Sequence, residues 1–245
     1  MTNEELLKKR LGELSQRAFN RGFNTFSEFL NMDEISTAAG LQYPCPYLLF
    51  GGYENAERCV IGFGDDIDNS AFPICCIKIE PLQQKFADSL SHRDFLGSLM
   101  NLGINRNTLG DILIKDNCGY LFCLDSISEY IIENLARIKH TSVKCKIVLP
   151  DNQIISKEPE LKEINVSSLR ADAVISSVYK LSRNETSNLF NREEVFINSR
   201  AVTKSSAMLK ENDIVSVRHK GRFVFVGQLR TTKKDRIVIK IGLFV

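Results

Sequence analysis

Apolar residues near the start of the chain recur every three or four positions, which predicts an amphipathic helix. Thr2 or Asn3 supplies the cap of this helix. Its apolar stripe consists of Leu7, Leu11, Leu14 and Ala18.

A second helix is predicted just downstream, beginning at Asn24 or Thr25. Its apolar positions are Phe26, Phe29 and Leu30. Two β-rich runs, YLLFGGY and ERCVIGF, then flank a short polar turn at Glu54–Ala56 and predict a hairpin. Residues 1–72 are therefore expected to form a small N-terminal α+β domain.

The next part of the chain alternates strand and helix patterns in an informative order. The predicted strands are Ile74–Ile79, Asp111–Lys115, Gly119–Cys123 and Val143–Leu149, and the predicted helices are Lys85–Leu102, closed by Gly103, and Ser126–Ile138. This β-α-β-β-α-β order is that of the ferredoxin-like fold, which RNA-recognition-motif (RRM) domains also use. Residues 73–150 are thus predicted to be an RRM-like middle domain in a multi-domain α+β protein.

Two aromatic residues of the middle domain, Tyr120 and Phe122, share one face of a predicted strand. In an RRM such residues stack on bases, but the first strand, ICCIKI, has no aromatic partner for them. We therefore favour packing under the helices over base stacking. Arg93 and Arg106 are the alternative RNA contacts in this domain.

The polar stretch at residues 151–164 is the predicted linker, and the charge of the chain changes sign just beyond it. Residues 165–245 carry 15 Lys+Arg and 7 Asp+Glu, whereas residues 1–164 carry 17 and 23, so the net charge of +2 divides into +8 and −6. Such a basic segment favours a nucleic-acid partner, with a solvated face or a membrane-surface patch as alternatives. Its strong hydrophobic patterning indicates a folded domain.

Two short helices are predicted at the start of the basic segment. Ser167 or Ser168 caps the first, whose apolar positions include Leu169, Ala173 and Val178. The second begins with the sequence SRNE at residues 182–185, a capping box in which serine and glutamate satisfy each other's backbone N–H groups. Arg170 and Arg183 are placed in the first turns of the two helices. Strands are predicted at VFIN, around Val202, at DIVSVR and at GRFVFVG.

This segment resembles the alpha-L RNA-binding domain first known in small-subunit ribosomal protein S-four. The matching residues, in order, are Arg170-Ala171-Asp172, Ser182-Arg183, Val195 with Asn198, and Asn212-Asp213 before IVSVR. Ala171 stands where the family has leucine, so a neighbour must fill the core there. Asn212 stands where the family has glycine, and asparagine tolerates the left-handed backbone of such a turn.

A wider resemblance covers nearly the whole chain and is to the YlmH family. It is carried by SHRDFLGSLMNLGINRNTLGDILI (Ser91–Ile114), by LLFGGYENAER, and by RHKGRFVF followed by TTKKDR. The resemblance implies a bacterial, ribosome-associated RNA-binding factor. It would bind rRNA, tRNA and the large ribosomal subunit, and hold peptidyl-tRNA during C-terminal tailing of a stalled nascent chain.

The module should grip RNA through two helix N-termini and through charged side chains. The expected RNA contacts are Arg170, Arg183, Arg192, Asn198, Lys204, Arg218, Lys220 and Arg222. A second loop patch comprises Arg230, Lys233, Lys234 and Arg236. The alternatives are a local ion pair between Arg170 and Asp172 and a merely solvated turn at Lys233 and Lys234.

Several other functions are disfavoured. His92, His140 and His219 are scattered, and the seven cysteines lack metal-site spacing, so no metal is expected. His92-Arg93-Asp94 is attributed to helix entry rather than to acid–base catalysis. The sequence shows no phosphate-binding glycine loop, no leader and no apolar run of membrane length. We therefore expect a cytoplasmic protein that is a monomer and not an enzyme. We expect it to use no cofactor, to bind no membrane and to have no small-molecule substrate.

Two function classes stay open as alternatives. One is an RNA-modifying enzyme of the pseudouridine-synthase type, because the same basic module is appended to those enzymes. The other is a scaffold linked to cell division whose basic domain binds acidic protein. Analysis of the modified nucleotides in rRNA and tRNA from a deletion strain would test the enzyme alternative. Whether nuclease abolishes an association with ribosomes would test the scaffold alternative.

Overall fold

The computed structural model of the chain describes residues 2–54, 56–151, 154, 159–232 and 235–244. It divides into two compact units, Met1–Ser156 and Lys157–Val245. The predicted N-terminal and middle domains thus belong to one unit, because they share a hydrophobic core. Among the described residues, no helix is both long and apolar enough to cross a membrane.

The first unit begins with helix α1 (Asn3–Arg21), and the predicted cap Thr2 forms a capping box with Glu5. The predicted second helix around Phe26 is wrong. Strand β1 (Thr25–Phe26) occupies that place, and helix α2 (Met32–Ala39) starts later because Asn31 and Glu34 form its capping box. Side-chain oxygen bonds to the first backbone N–H groups decide where a helix starts, and Asn31 supplies them.

The predicted hairpin is confirmed. Strands β2 (Tyr47–Phe50) and β3 (Val60–Phe63) pair antiparallel, and β1 pairs with the other edge of β3. The connection between β2 and β3 is longer than the predicted three-residue turn. It returns the chain toward the second sheet of the unit through Tyr53 and Arg58.

The predicted order β-α-β-β-α-β is found in the rest of the unit. The elements are β4 (Ile74–Pro81), α3 (His92–Asn101), β5 (Leu109–Lys115), β6 (Cys118–Leu124), α4 (Asp125–Asn134), the short β7 (Arg137–Ile138) and β8 (Thr141–Val148). The strands form one antiparallel sheet in the order β5-β6-β4-β8-β7.

Both helix boundaries of this region differ from the prediction. Helix α3 begins at His92 rather than Lys85, because Ser91 and Asp94 form a capping box, while residues 84–86 form only a 3₁₀ turn. Helix α4 ends at Asn134 rather than Ile138, and the chain turns there into β7.

The two faces of the five-stranded sheet have different covers. Helices α3 and α4 cover one face through a core that includes Ile77, Leu121 and Phe95. The N-terminal part covers the other face, where Phe122 is 1% exposed and packs with Phe29 and Tyr53. Phe122 is thus buried as predicted, but not under the helices. Tyr120 is partly buried on the same face.

A polar network also joins the N-terminal part to the five-stranded sheet. The Asp111 carboxylate accepts hydrogen bonds from the Tyr53 hydroxyl (2.8 Å) and from the backbone N–H groups of Glu57 (2.7 Å) and Arg58 (3.2 Å). The Arg58 guanidinium donates to the carbonyl oxygen of Leu109 at 2.9 Å. The bonds of Tyr53 and Arg58 are partly buried and satisfy polar groups at the edge of the shared core, whereas the bond of the Glu57 N–H is exposed.

The second unit is a six-stranded antiparallel sheet with two helices. Its elements are β9 (Glu160–Val166), α5 (Ala171–Tyr179), α6 (Arg183–Asn191), β10 (Val195–Ile197), β11 (Arg200–Ala201), β12 (Ile214–Val217), β13 (Gly221–Thr231) and β14 (Ile237–Phe244). The strand order is β11-β10-β12-β13-β14-β9.

Strand β9 corrects the predicted linker at residues 151–164. Residues 160–166 pair with residues 237–243 of β14, so the last five residues of that segment belong to an edge strand of the sheet. Its alternating charges are those of a strand with its polar face in water, which sequence inspection alone takes for a linker. The core of the unit lies between the sheet and the two helices and includes Val174, Phe190 and Phe223.

Candidate RNA-binding groove

The start of helix α5 differs from the prediction. Arg170, and not Ser167 or Ser168, is the N-cap residue, and no side chain caps the helix there. Instead, the backbone N–H of Ala171 donates to the carbonyl oxygen of Ala207 (2.8 Å), and that of Asp172 donates to the carbonyl oxygen of Ser205 (3.1 Å). Since these N–H groups are already bonded, the N-terminus of α5 offers little to a bound phosphate, contrary to the prediction.

The start of helix α6 matches the prediction. The Ser182 hydroxyl accepts from the Glu185 N–H at 3.3 Å, and the Glu185 carboxylate accepts from the Ser182 N–H at 2.8 Å. Hydrogen bonds to the Glu185 carboxylate from the Ser182 backbone N–H and hydroxyl, with a smaller contribution from Lys220, hold its pKa below the usual range. Arg183 is the first helical residue and is exposed, so the capped turn fixes its starting direction while its guanidinium stays in water.

Arg170 and Arg183 lie on the same groove, which has a volume of about 600 Å³. Arg236, from the approach to β14, also lines it. The remaining lining is rich in small hydroxyl side chains, namely Ser167, Ser168, Ser176, Ser177, Ser187 and Ser205. The structure thus brings together two of the predicted RNA contacts and one residue of the predicted loop patch.

The predicted alternative for Arg170, an ion pair with Asp172, is present in the structure. Its Nε donates to Asp172 Oδ1 (3.1 Å) and its Nη2 to Asp172 Oδ2 (2.6 Å). The pair raises the pKa of Arg170 further, and the Arg170 side chain is still 45% exposed. A guanidinium has five N–H donors, so this one is held in a fixed direction with donors left for a ligand.

The composition of the groove determines its chemistry. Three guanidinium groups face one carboxylate, Asp172, so the groove is positive. Arginine forks and hydroxyl donors are the groups that bind phosphate oxygens, and the groove has no large apolar wall for a hydrophobic ligand. Arg183 and Arg236 are exposed and have no side-chain hydrogen bond or ion pair in the described part of the chain, so both are more available to a ligand than Arg170, which is paired with Asp172.

The other predicted contacts lie outside the groove lining. Arg192 ends helix α6, so the whole nine-residue helix separates it from Arg183. Lys204, Arg218 and Lys220 are exposed on loops. The Arg222 guanidinium stacks on the ring of Phe244, with 4.5 Å between its carbon and the ring centroid.

The second predicted loop patch is only partly described. Arg230 forms an ion pair with Glu163 at 3.0 Å, which neutralises part of its charge. Lys233 and Lys234 lie outside the described residues. Arg236 was assigned to this patch and lies instead in the groove, because β14 runs back beside the helix-bearing end of β9. That pairing joins residues about 70 positions apart, so no local sequence pattern predicts it.

The structure gives Asn198 a role within the fold. Its amide oxygen accepts from the Ile214 N–H and its amide nitrogen donates to Asp213 Oδ1, both at 2.9 Å. Its backbone is left-handed, with φ +50°. Both polar atoms of the side chain are therefore used to join the β10 hairpin to the start of β12, so a role within the fold accounts for the residue, while its RNA contact stays a prediction.

Substitution of Asn198 tests this structural role. Asn198→Ala should lower the free energy of unfolding by about 1–2 kcal/mol, since it removes two hydrogen bonds and strains a left-handed residue. RNA affinity of the folded protein should not change. Asn198→Gly is the matched variant, because it loses the same bonds without the backbone strain. An affinity loss beyond the unfolded fraction for both variants would restore Asn198 to the interface.

Two features of the resemblance to the S-four-type domain find a physical basis here. Asn212 is left-handed, with φ +68°, as its place in the glycine position predicts. Ala171 is fully buried and packs in the cluster that includes Leu209 and Ile175, so neighbouring side chains fill the space of the missing leucine.

The triplet His92-Arg93-Asp94 marks a helix start, as predicted. Asp94 accepts from Ser91 and lies 2.7 Å from Lys139 Nζ, and these partners lower its pKa to about 2. Burial, and the positive charge of Arg106, lower the pKa of His92. In the described ranges, no group of three or more His, Cys, Asp or Glu side chains is placed to hold a metal ion.

Comparison with known proteins adds three findings. The family model described as "Putative RNA-binding domain in YlmH" matches residues 68–150. The ribosome-associated protein quality control protein P2 of Bacillus subtilis (strain 168) is 31% identical over 193 residues, which are 76% of this chain and 73% of that protein. The solved structure of the cell division protein ylmH from Streptococcus pneumoniae is 19% identical, with a TM-score of 0.49, over 64% of this chain and 96% of that chain.

Proposed function

Because the chain belongs to the YlmH family, we propose that it is an RNA-binding factor of ribosome-associated quality control. In this proposal it binds the large ribosomal subunit and peptidyl-tRNA, and it acts in the cytoplasm as a monomer without a catalytic step. The second unit serves as an S-four-type domain, and residues 73–150 serve as an RRM-like domain.

The observation that carries the proposal is the groove of the second unit. Arg170 and Arg183 come from the starts of two separate helices, and Arg236 comes from a strand end, yet all three line one positive cavity. Guanidinium groups that separate elements bring to one groove can recognise the phosphate positions of a folded RNA rather than a base sequence. This suits a ligand of defined shape such as rRNA or tRNA.

The direct test is co-sedimentation of the full chain with purified large ribosomal subunits, with and without peptidyl-tRNA. We expect association that nuclease treatment abolishes. If each groove arginine contacts one phosphate, the slope of log affinity against log salt should be about −2 to −3, from −0.7 to −0.9 per contact. Salt-insensitive association would contradict the proposal. Association that weakens with salt but survives nuclease would also contradict it, and would favour an acidic protein partner.

The unit boundary yields a second expectation. A fragment of residues 157–245 should retain most of the RNA affinity, whereas residues 1–156, with 15 Lys+Arg and 20 Asp+Glu, should bind more weakly. A fragment of residues 167–245 lacks β9 and should be unstable, because it exposes the edge of β14. Filter binding and circular dichroism of the three fragments test this expectation, and a first unit that binds as tightly as the second would refute it.

Absence of catalysis is tested separately. Mass analysis of rRNA and tRNA from a strain lacking the protein should show every modification of the parent strain. A missing pseudouridine that the intact gene restores would instead establish the enzyme alternative.

A further inference from the structure

A second positive surface lies on the first unit, although that unit is acidic overall. Lys78 of β4 is directly opposite Tyr120 of β6 on one side and Lys146 of β8 on the other. One row further along, Glu80 is opposite Lys144. We call Lys78, Lys144, Lys146, Tyr120 and Glu80 the lysine face.

The lysine face belongs to the sheet face that the N-terminal part covers at its other end. Residues two apart on a strand point to the same side, so Lys78 shares a side with Cys76, and Tyr120 with Phe122. Cys76 and Phe122 are buried against the N-terminal part, whereas the side chains of Lys144 and Lys146 are 58% and 57% exposed. The cover therefore thins out at this row: Lys144 and Lys146 are open to solvent, whereas Lys78, Glu80 and Tyr120 are partly buried at its edge.

Three ammonium groups of the lysine face converge on one carboxylate. Lys78 Nζ lies 2.5 Å from Glu80 Oε2, and the Nζ atoms of Lys144 and Lys146 lie 3.3 and 3.6 Å from Glu80 Oε1. Hydrogen bonds from Lys78 and Lys144 lower the pKa of Glu80 to about 2, so it is ionised at neutral pH. One negative charge against three positive ones leaves a net charge of +2 on these residues, and Asp116 is a further acidic neighbour of Tyr120.

The unneutralised charge and the adjacent ring point to a particular class of ligand. Lys144 and Lys146 are two positions apart on one strand, so their Cα atoms are separated by about 6.6–6.8 Å, and their ammonium groups can meet neighbouring phosphates. Tyr120 is beside Lys78 and is only partly buried. Lysines that track a backbone, next to an aromatic ring that accepts a base, form the usual surface for single-stranded nucleic acid.

We propose that the lysine face binds a single-stranded segment of RNA, with phosphates at Lys144 and Lys146 and a base against Tyr120. This inference rests on the proposed function for its ligand class and deepens it. The lysine face lies within residues 68–150, which match the family model described as "Putative RNA-binding domain in YlmH", and the inference names the face and the single-stranded form of the ligand. An acidic segment of a protein is the competing occupant, but the tyrosine ring would then have no planar group to stack on.

The test uses the full chain and a fluorescent 12-nucleotide oligouridine. Lys144→Gln/Lys146→Gln should weaken binding by about 5- to 20-fold and reduce the salt slope by about 1.4, or 0.7 for each lost contact to a single strand. Glu80→Gln should strengthen binding about 2- to 5-fold, because it removes the only carboxylate of the lysine face. Circular dichroism confirms that each variant is folded.

The matched control is Lys8→Gln/Lys9→Gln on helix α1, which removes the same charge from an exposed site of the same unit. An equal loss for this control would overturn the proposal, since it would show an effect of net charge alone. Unchanged affinity of Lys144→Gln/Lys146→Gln would also overturn it. So would displacement of the oligouridine by polyglutamate as effectively as by unlabelled RNA.

Parallel measurements on Arg183→Ala separate this inference from the proposed function. If Arg183→Ala loses large-subunit binding while Lys144→Gln/Lys146→Gln binds oligouridine like wild type, the result supports RNA binding by the groove and overturns RNA binding by the lysine face. If only Lys144→Gln/Lys146→Gln loses RNA affinity, the result supports RNA binding by the lysine face and overturns RNA binding by the groove. Losses in both variants, greater when they are combined, support two contacts.

Discussion

Arg183→Ala should lower the affinity for the large ribosomal subunit by about ten- to a hundredfold. Its guanidinium lines the groove and starts from a capped helix turn, so a phosphate contact there is charge-assisted and is worth about 1.5–3 kcal/mol. The capping box of Ser182 and Glu185 uses neither the Arg183 side chain nor its charge, and alanine is a good helix former. Stability should therefore stay within about 0.5 kcal/mol of wild type.

Co-sedimentation across a range of subunit concentrations measures this effect, with thermal unfolding as the stability check. Arg200→Ala is the matched control, since it removes the same exposed side chain from the same unit outside the groove lining. Glu193→Ala, which removes an acidic residue of the unit, should bind as well as wild type or slightly better. If Arg183→Ala sediments like Arg200→Ala, the groove is not the ribosome-binding surface.

Asp111→Ala should lower the free energy of unfolding of the first unit by about 2–4 kcal/mol. The substitution removes the acceptor of two partly buried donors, the Tyr53 hydroxyl and the Arg58 N–H, and each such donor left unsatisfied costs about 1–3 kcal/mol, whereas the exposed Glu57 N–H can bond water instead. It also removes the nearby negative charge that favours the charged forms of Arg58 and Arg106. Burial, together with the positive charge of Arg58, already lowers the pKa of Arg106 to about 10.

Differential scanning calorimetry measures this loss as a fall of roughly 4–16 °C in the Tm of the first unit, at about 2–4 °C per kcal/mol for a domain of this size. Asp111→Asn keeps one acceptor oxygen and should lose about half as much. Asp65→Ala, at an exposed site of the same unit, should change stability by no more than about 0.5 kcal/mol. A Tm for Asp111→Ala that equals that of Asp65→Ala would show that the shared core alone joins the two parts.

Local patterns predicted those elements whose cause is local. The order of strands and helices in the middle region follows from alternation and helical spacing, and the Ser182–Glu185 box fixes the start of α6. The same rule explains a failure. Asn31 and Glu34 have the spacing of a capping box, which marks the true start of α2. The apolar residues around Phe26 instead predict a helix that begins upstream.

Non-local contacts account for the remaining errors. Helix α5 is capped by the carbonyl groups of residues 205 and 207, and no residue near the start of the helix predicts this capping. Alternation correctly groups Tyr120 with Phe122 but cannot say which layer covers their side of the sheet. Arg236 reaches the groove only because β14 returns to pair with β9, so its place depends on the finished sheet.

The pairing of β9 with β14 also bears on how the protein is made. The strand at Glu160–Val166 is synthesised first in its unit, and its partner at Ile237–Phe244 is synthesised last. Such long-range pairing carries a high entropic cost of loop closure and slows folding. At roughly 5–20 residues per second, the ribosome needs several seconds to supply the missing strand. Until that strand is made, the basic segment is a partly formed sheet with an open edge, so the RNA groove cannot be complete before Ile237–Phe244 is available to pair with β9.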